Sequence, residues 1–286
     1  MRNRRIEVRP IAGALGAEIH GADLGALDDE TFEEIHQAWL EHLVVFFRDQ
    51  EITPAQQVAF ARRFGDIHDH PYMRGLDEQP EILEIVREPG DSYTFGSEWH
   101  TDQMFNPKPA KATMLYAKET PRAGGDTMFA NMYLAYDALS DGMKALLARL
   151  RSHCVGNRSK RRMSGIGRAE RYANNPGMLA KLREPAADTP TEARHPLVRT
   201  HPETGRKALY IGSHVHSLDG FAEAEADALI DWLRAHSVRP EFTCRFAWRP
   251  GSMAIWDNRC TQHNAIADYH ERRRMHRITI AGDAPY

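Results

Sequence analysis

Cysteine is scarce. Three occur in 286 residues, Cys154, Cys244 and Cys260, far apart in the chain. An odd, scattered set makes neither a disulfide framework nor a CxxC zinc site, and it suits a reducing compartment. Long apolar runs are also lacking: none approaches the roughly 18 residues that span a bilayer. The opening stretch MRNRRIEVRPIAG is basic, but no apolar segment of a signal peptide follows it. These features predict a cytosolic protein with no membrane partner. Excess charge of one sign is missing as well. Lys plus Arg is 37 and Asp plus Glu is 40, leaving −3 with His neutral. A general nucleic-acid binder usually shows a strong basic excess, so no nucleic-acid partner is expected. Repeats and low-complexity segments are absent, and nothing marks a domain boundary. The chain reads as a single domain over 1–286, long enough to bury a sizeable core without staples.

Histidine, in contrast, is abundant, with 15 residues. Ranking them needs the organisation of the chain. Residues 6–25 mix short apolar stretches with Gly13, Gly16, Gly21 and Gly25, which reads as short strands and turns. Phe32, Ile35, Trp39 and Leu43 recur at spacings of three and four, predicting a helix over Asp28 to Leu43. The β-branched and aromatic run Leu43 to Phe47 predicts a buried strand. Thr53-Pro54-Ala55-Gln56 carries a capping box and an early proline, and starts a helix running to about Phe64. Ile82 to Val86, Ala112 to Ala117, Thr127 to Ala130, Phe242 to Trp248, Ser252 to Trp256 and Ile278 to Ala281 read as strands. Leu134 to Leu150, broken near Ser140, and Ala222 to His236 read as helices. Residues 157–171 hold Arg158, Lys160, Arg161, Arg162, Arg168 and Arg171 against Glu170 alone. They read as a solvated basic loop or a mobile lid, extending to about 185. The sum is a mainly β core decorated by N-terminal and inserted helices.

The first residues with chemistry are Trp99-His100-Thr101-Asp102. Side chains alternate along a strand, so His100 and Asp102 can point to one side of a strand or its end. One imidazole and one carboxylate make two thirds of a facial metal triad. A further His elsewhere would complete it and leave three positions open, the arrangement of non-heme Fe(II) oxygenases. A surface His–Asp pair is the plainer alternative. The second set runs from Trp256-Asp257-Asn258-Arg259 to His263, and on to Arg272-Arg273-Arg274-Met275-His276-Arg277. His263 is expected just past a strand, at a barrel mouth. Arg273, Met275 and Arg277 share one parity. A buried arginine is costly unless it meets an anion, and its planar fork suits a carboxylate or sulfonate. Two inward arginines therefore imply two anionic groups. A solvated charge run on an edge strand is the alternative.

With these residues in view, the chain resembles the taurine/2-oxoglutarate dioxygenase family, which includes the 2,4-dichlorophenoxyacetate dioxygenases. The likeness covers nearly the whole length. Its carrying segments include Gly13 to Ala17, Phe46 to Gln50, Arg63-Phe64-Gly65, Trp99 to Asp102, Gly124-Gly125-Asp126-Thr127, His195 to Pro202 and Trp256 to Arg277. The resemblance implies a double-stranded β-helix, a cupin-like jelly roll with its metal between two sheets. It implies Fe(II) held by His100, Asp102 and His263, which would be the catalytic centre. It implies 2-oxoglutarate as co-substrate, bound by Thr127 and Arg273, and O2 as oxidant. Arg277 matches the arginine that grips the anionic group of the substrate, and His70 a histidine that also contacts it. Tyr72 stands one place earlier than the family's pocket tyrosine. The run Leu209-Tyr210-Ile211-Gly212-Ser213-His214 is closer to the aryloxyacetate branch.

The implied activity is hydroxylation of a small anionic organic substrate, a sulfonate, alkyl sulfate or aryloxyalkanoate, with release of succinate and CO2 and cleavage of a carbon–heteroatom bond. Biosynthetic hydroxylation or desaturation of a carboxylate or amino-acid-like substrate stays open, as does a non-catalytic ligand-binding relative. The family also implies a homo-oligomer, a dimer or tetramer. Of the remaining histidines, His20, His36, His42, His153, His236 and His270 are expected on surfaces or helices. His214 and His216 are candidates for lining a pocket.

Overall fold

The strands sort their side chains by parity, and that sorting sets the architecture. The computed structural model describes residues 5–68, 70–156 and 168–286. Seven strands form one sheet, in the order Glu7–Pro10, Ala17–His20, Val44–Phe47, Met253–Asp257, Ala112–Glu119, Arg273–Ile280 and Leu83–Arg87. Neighbours are antiparallel except Ala17–His20 beside Val44–Phe47. A three-stranded sheet of Thr243–Phe246, Thr127–Asn131 and Thr261–Ala265 packs against it. The rings of Phe46 and Phe246 stack across the gap at 4.0 Å, and Phe129 meets Trp256 at 5.4 Å. A second three-stranded sheet, Val215–Leu218, Arg151–Val155 and Glu192–Pro196, and the pair Val198–Thr200 with Lys207–Leu209 complete the described strands. This is the expected β core with helical decoration, and it has the two-sheet form of a jelly roll.

Odd and even residues of the large sheet go to different layers, as strand geometry requires. Val44, Phe46, Leu115, Ala254, Trp256 and Met275 join the core between the sheets. Val45, Phe47, Met114, Tyr116, Ile255 and Ile278 face the other way, toward the N-terminal helices. Helix Asp29–His42 covers that outer face with buried Ile35, Ala38 and Trp39. Asp28 caps it by accepting from the Thr31 amide. It stops at Leu43, whose φ of 66° turns the chain straight into the strand. Helix Pro54–Arg62 begins at the expected capping box of Thr53 and Gln56. Ser140 caps helix Asp141–Leu147, so the break in the middle helical region falls where the sequence placed it.

His236 lies in helix Glu223–Ser237, within the expectation of a surface or helix position, and its Nε2 donates to the Ala135 carbonyl at 2.8 Å, which buries it. One expectation needs correction. The basic segment is less loop-like than its composition suggests. Residues 157–167 lie outside the described residues. Beyond them Arg168–Arg171 and Pro176–Ala180 are helical. There Met178 is buried, and Lys181 reaches Glu84 at 2.8 Å. The backbone amide of Arg183 donates to Tyr72 and that of Arg74 to Lys181, tying this segment to the stretch after His70.

The buried His195 makes a pH prediction. Its Nε2 donates to the Met104 and Asn106 carbonyls at 2.8 and 3.1 Å, and burial pushes its pKa down to about 4. An unfolded histidine titrates near 6.5. Between about 4 and 6.5 the unfolded chain therefore binds more protons, and stability rises with pH across that window. Urea unfolding at pH 5 and pH 7 should show the difference, and His195→Gln should shrink it. An unchanged difference would mean that His195 is not the group responsible.

Candidate active site

The site lies between the two sheets, and each sheet supplies part of it. His263 sits within strand Thr261–Ala265 rather than past its end. His100 is not in a strand. It exchanges both backbone hydrogen bonds with His263, N to O at 3.0 and 2.9 Å, forming an isolated antiparallel bridge. That bridge brings the two rings to 4.1 Å between centroids. Two residues on, the chain turns, and the Asp102 amide donates to the Asn258 side chain at 3.3 Å. Asp102 thereby lies 3.6 Å from His100 Nε2 and 3.8 Å from His263 Nε2. All three donor atoms fall within 4.8 Å of one another.

The surroundings orient these donors. His100 Nδ1 donates to the Glu98 carbonyl at 2.6 Å, which leaves Nε2 with its lone pair toward Asp102. Thr113 donates its hydroxyl to Asp102 Oδ2 at 2.6 Å, and Asn258 donates to Thr113 at 3.0 Å. The other carboxylate oxygen takes Arg277 Nη2 at 2.8 Å. Burial would raise the Asp102 pKa, but the charge of Arg277 beside it holds it well below the carboxylate range. Burial, then the neighbouring His100, pushes His263 well down, so its ring is neutral. Gly96 packs on the His100 ring: its φ is +78°, and an added Cβ would meet His100 Cε1 at 3.3 Å.

Two imidazoles and a carboxylate form a donor set that fits a divalent transition metal with open positions. A second group, His201, Asp257 and Cys260, also converges. It is a different object. Both Asp257 oxygens are taken by Arg259, at 2.8 and 2.6 Å, and burial pushes the Cys260 thiol well above its usual range. That group is a charge network holding the core.

An inner cavity beside the triad is lined by Leu115, Thr127, Trp256, Arg273 and Arg277 as well as the three donors. The parity reading of the arginines matches what is seen: Arg273 and Arg277 leave one face of strand Arg273–Ile280 into the same space. Arg273 is 7% exposed, and its Nε and Nη2 have no hydrogen-bond partner among the described residues. Thr127 accepts from Trp248 Nε1 at 3.0 Å, which leaves its hydroxyl hydrogen to donate. A cation and a hydroxyl with bonds to give fit a carboxylate.

The cavity opens outward past Arg277 into a mouth lined by His70, Tyr72, Tyr93, Phe95, Gln103, Phe105 and His214. Burial, followed by the Arg277 charge, pushes His70 down to about 3. Its Nδ1 accepts from the Tyr72 amide at 3.3 Å, so the ring is neutral and carries its hydrogen on Nε2. Tyr72 is buried under the mouth against Phe105. His214 lines the mouth, while His216 packs against His153 on the neighbouring strand of the same sheet. Sequence reasoning missed Thr113, Asn258 and Trp248. Asn258 was visible in the Trp-Asp-Asn-Arg segment, but nothing local marks Thr113 or Trp248 as partners of Asp102 and Thr127.

Residues 7–279 match the family described as taurine catabolism dioxygenase TauD, TfdA. An alkylsulfatase of Acinetobacter baylyi is 35% identical over 98% of this chain and 86% of its own length. An alpha-ketoglutarate-dependent sulfate ester dioxygenase of Pseudomonas putida is 34% identical, covering 98% of this chain and 91% of its own. The crystal structure of a taurine dioxygenase from Burkholderia xenovorans superposes with a TM-score of 0.81 at 35% identity, over 98% of this chain and 91% of its own. The chain belongs to the TauD, TfdA family and is a 2-oxoglutarate-dependent dioxygenase.

Thr113 touches Asp102 and lines neither the inner cavity nor the mouth, so it isolates the support of the candidate metal site. Thr113→Val keeps the shape and removes the hydroxyl. Loss of such a supporting bond costs about 10–100-fold in metal affinity. Titration with Co(II) should show that loss, with an unchanged circular dichroism spectrum. Wild-type affinity in the variant would remove Thr113 from the site.

Proposed function

We propose that His100, Asp102 and His263 hold Fe(II), that Thr127 and Arg273 bind 2-oxoglutarate, and that Arg277 with His70 binds the anionic group of a small organic substrate. The observation that carries this reading is the pair of arginines on one strand face. Arg273 sits deep with unsatisfied N–H groups beside Thr127. Arg277 stands where the inner cavity meets the mouth, lining both. One cation thus serves the co-substrate and the other the substrate. A single-anion enzyme would not need both.

Bound iron with 2-oxoglutarate and O2 supplies oxidative decarboxylation to succinate and CO2, coupled to hydroxylation of a substrate C–H. The protein's share is positioning. Arg273 and Thr127 fix the far carboxylate of 2-oxoglutarate, which sets its other end against the triad. Arg277 and the neutral His70 N–H hold the substrate anion beside the metal, so its nearest C–H faces the reacting centre. Holding reactants in such geometry removes a large part of a catalytic barrier. Phe95, Tyr93 and Phe105 give the mouth an apolar wall. The substrate class is an alkyl sulfate, a sulfonate or an aryloxyalkanoate, in keeping with the relatives' names. When the hydroxylated carbon bears the ester, ether or sulfonate group, the product collapses to a carbonyl compound and the leaving anion. The setting is the cytosol, and the working form a homo-oligomer, which light scattering after gel filtration would test.

Fe(II) and 2-oxoglutarate should yield succinate when a panel of alkyl sulfates, alkanesulfonates and aryloxyacetates is supplied. Sulfate, sulfite or phenol release then names the head group. No 2-oxoglutarate binding and no turnover across the panel would defeat the reading. The two arginines should separate in kinetics. Arg273→Ala should raise KM for 2-oxoglutarate by about 100-fold, taking roughly 1.5–3 kcal/mol for a charged hydrogen bond. Arg277→Ala should raise KM for the substrate by a similar factor. The opposite pattern would reverse the assignments.

A further inference from the structure

Gln103 follows Asp102 directly and lines the mouth with Arg277 and His70. Two features set it apart. Its φ is +56°, in the left-handed region that side-chain-bearing residues rarely adopt. Its side chain is buried, the residue being 6% exposed, yet neither the amide oxygen nor the amide nitrogen has a hydrogen-bond partner among the described residues. Each feature costs free energy. Both fall on the residue next to a proposed metal ligand, and the backbone holds them there. The Asp102 amide before it is fixed to Asn258, and its own carbonyl accepts from the Asn106 amide at 2.8 Å. A strained backbone and an amide with no hydrogen-bond partner among the described residues, in one place, mark a group suited to take a bound partner.

The neighbouring groups narrow that partner. Anion binding is already covered by the Arg277 cation and the His70 N–H. Aromatic rings, Phe95, Tyr93 and Phe105, supply the apolar wall. A neutral amide with one acceptor and two donors adds little for a bare alkyl chain, which would leave it unsatisfied. It suits a hydroxyl, amine or carbonyl group. We propose that Gln103 is a specificity-determining residue: its amide hydrogen-bonds a second, neutral polar group on the substrate, so the pocket selects a functionalised organic anion over a plain alkyl anion. This rests on the reading of the pocket as an organic-anion site. A site built to hydrogen-bond a substrate group rejects the analogue lacking it far more strongly than an apolar wall rejects an extra methylene.

The test is anaerobic calorimetry on the protein loaded with Fe(II) and 2-oxoglutarate. The probes are butyl sulfate and butane-1-sulfonate, each compared with its 2-, 3- and 4-hydroxy derivatives. In the wild type, at least one hydroxy derivative should bind tenfold or more tightly than its parent. In Gln103→Met, which keeps length and burial, that preference should fall to within about twofold of one. Gln103→Glu is the second variant. Its carboxylate can still accept a hydrogen bond but repels the anion, so it should weaken every probe. No preference for any hydroxy derivative in the wild type overturns the proposal, as does a preference that survives in Gln103→Met. Binding of no probe at all overturns the organic-anion reading, and this proposal with it. Parent and hydroxy derivatives binding alike leaves that reading standing and removes Gln103 alone.

Discussion

A carboxylate cannot be buried between two sheets unless other groups meet it, and Asp102 is 5% exposed. Much of the surrounding architecture answers that requirement. The large sheet supplies Thr113 and Arg277, one from a central strand and one from its neighbour. The turn after strand Met253–Asp257 supplies Asn258, and the small sheet supplies His263. Five groups from separate parts of the chain converge on one residue. None of them is near Asp102 in sequence except His100. The same logic repeats at Asp257, where Arg259 and His201 satisfy a second fully buried carboxylate one strand away. Breaking a buried pair from one side leaves an uncompensated charge, which is strongly destabilising. The core is therefore stapled electrostatically as well as packed.

Charge placement within the site has a clear division of labour. Arg277 lies against the triad and touches Asp102, while Arg273 lies deeper with hydrogen-bond capacity to spare. His70 is kept neutral by burial and by the Arg277 charge. It can then donate without adding a second positive charge beside the first. Two cations side by side would repel each other and lower the gain from each. One cation and one neutral donor give an anion both charge and direction.

Much of this was legible in the sequence, for identifiable reasons. The HxD spacing, the distant His263 and the alternation of Arg273, Met275 and Arg277 are short-range patterns, and backbone geometry fixes what they mean. Helix starts at Asp28, Thr53 and Ser140 were legible because a cap is a local hydrogen bond. Thr113 and Trp248 were not. Each acts through a partner more than ten residues away, in a register that only sheet pairing decides. The strain at Gln103 was equally invisible, since glutamine carries no sequence signal for a left-handed backbone. The segment after 167 misled by composition: its basic residues suggest solvent, yet Met178 and Lys181 pin it to strand Leu83–Arg87.

The backbone bridge between His100 and His263 joins residues more than 160 positions apart in sequence. A link of that span carries a loop-closure entropy that the rest of the fold has to offset. His100, Asp102 and His263 thus become neighbours only when the two ends of that long loop have met. On the proposed reading, a metal ion would find no preformed chelate while that loop is open, and once bound it would clamp the two ends of the loop together.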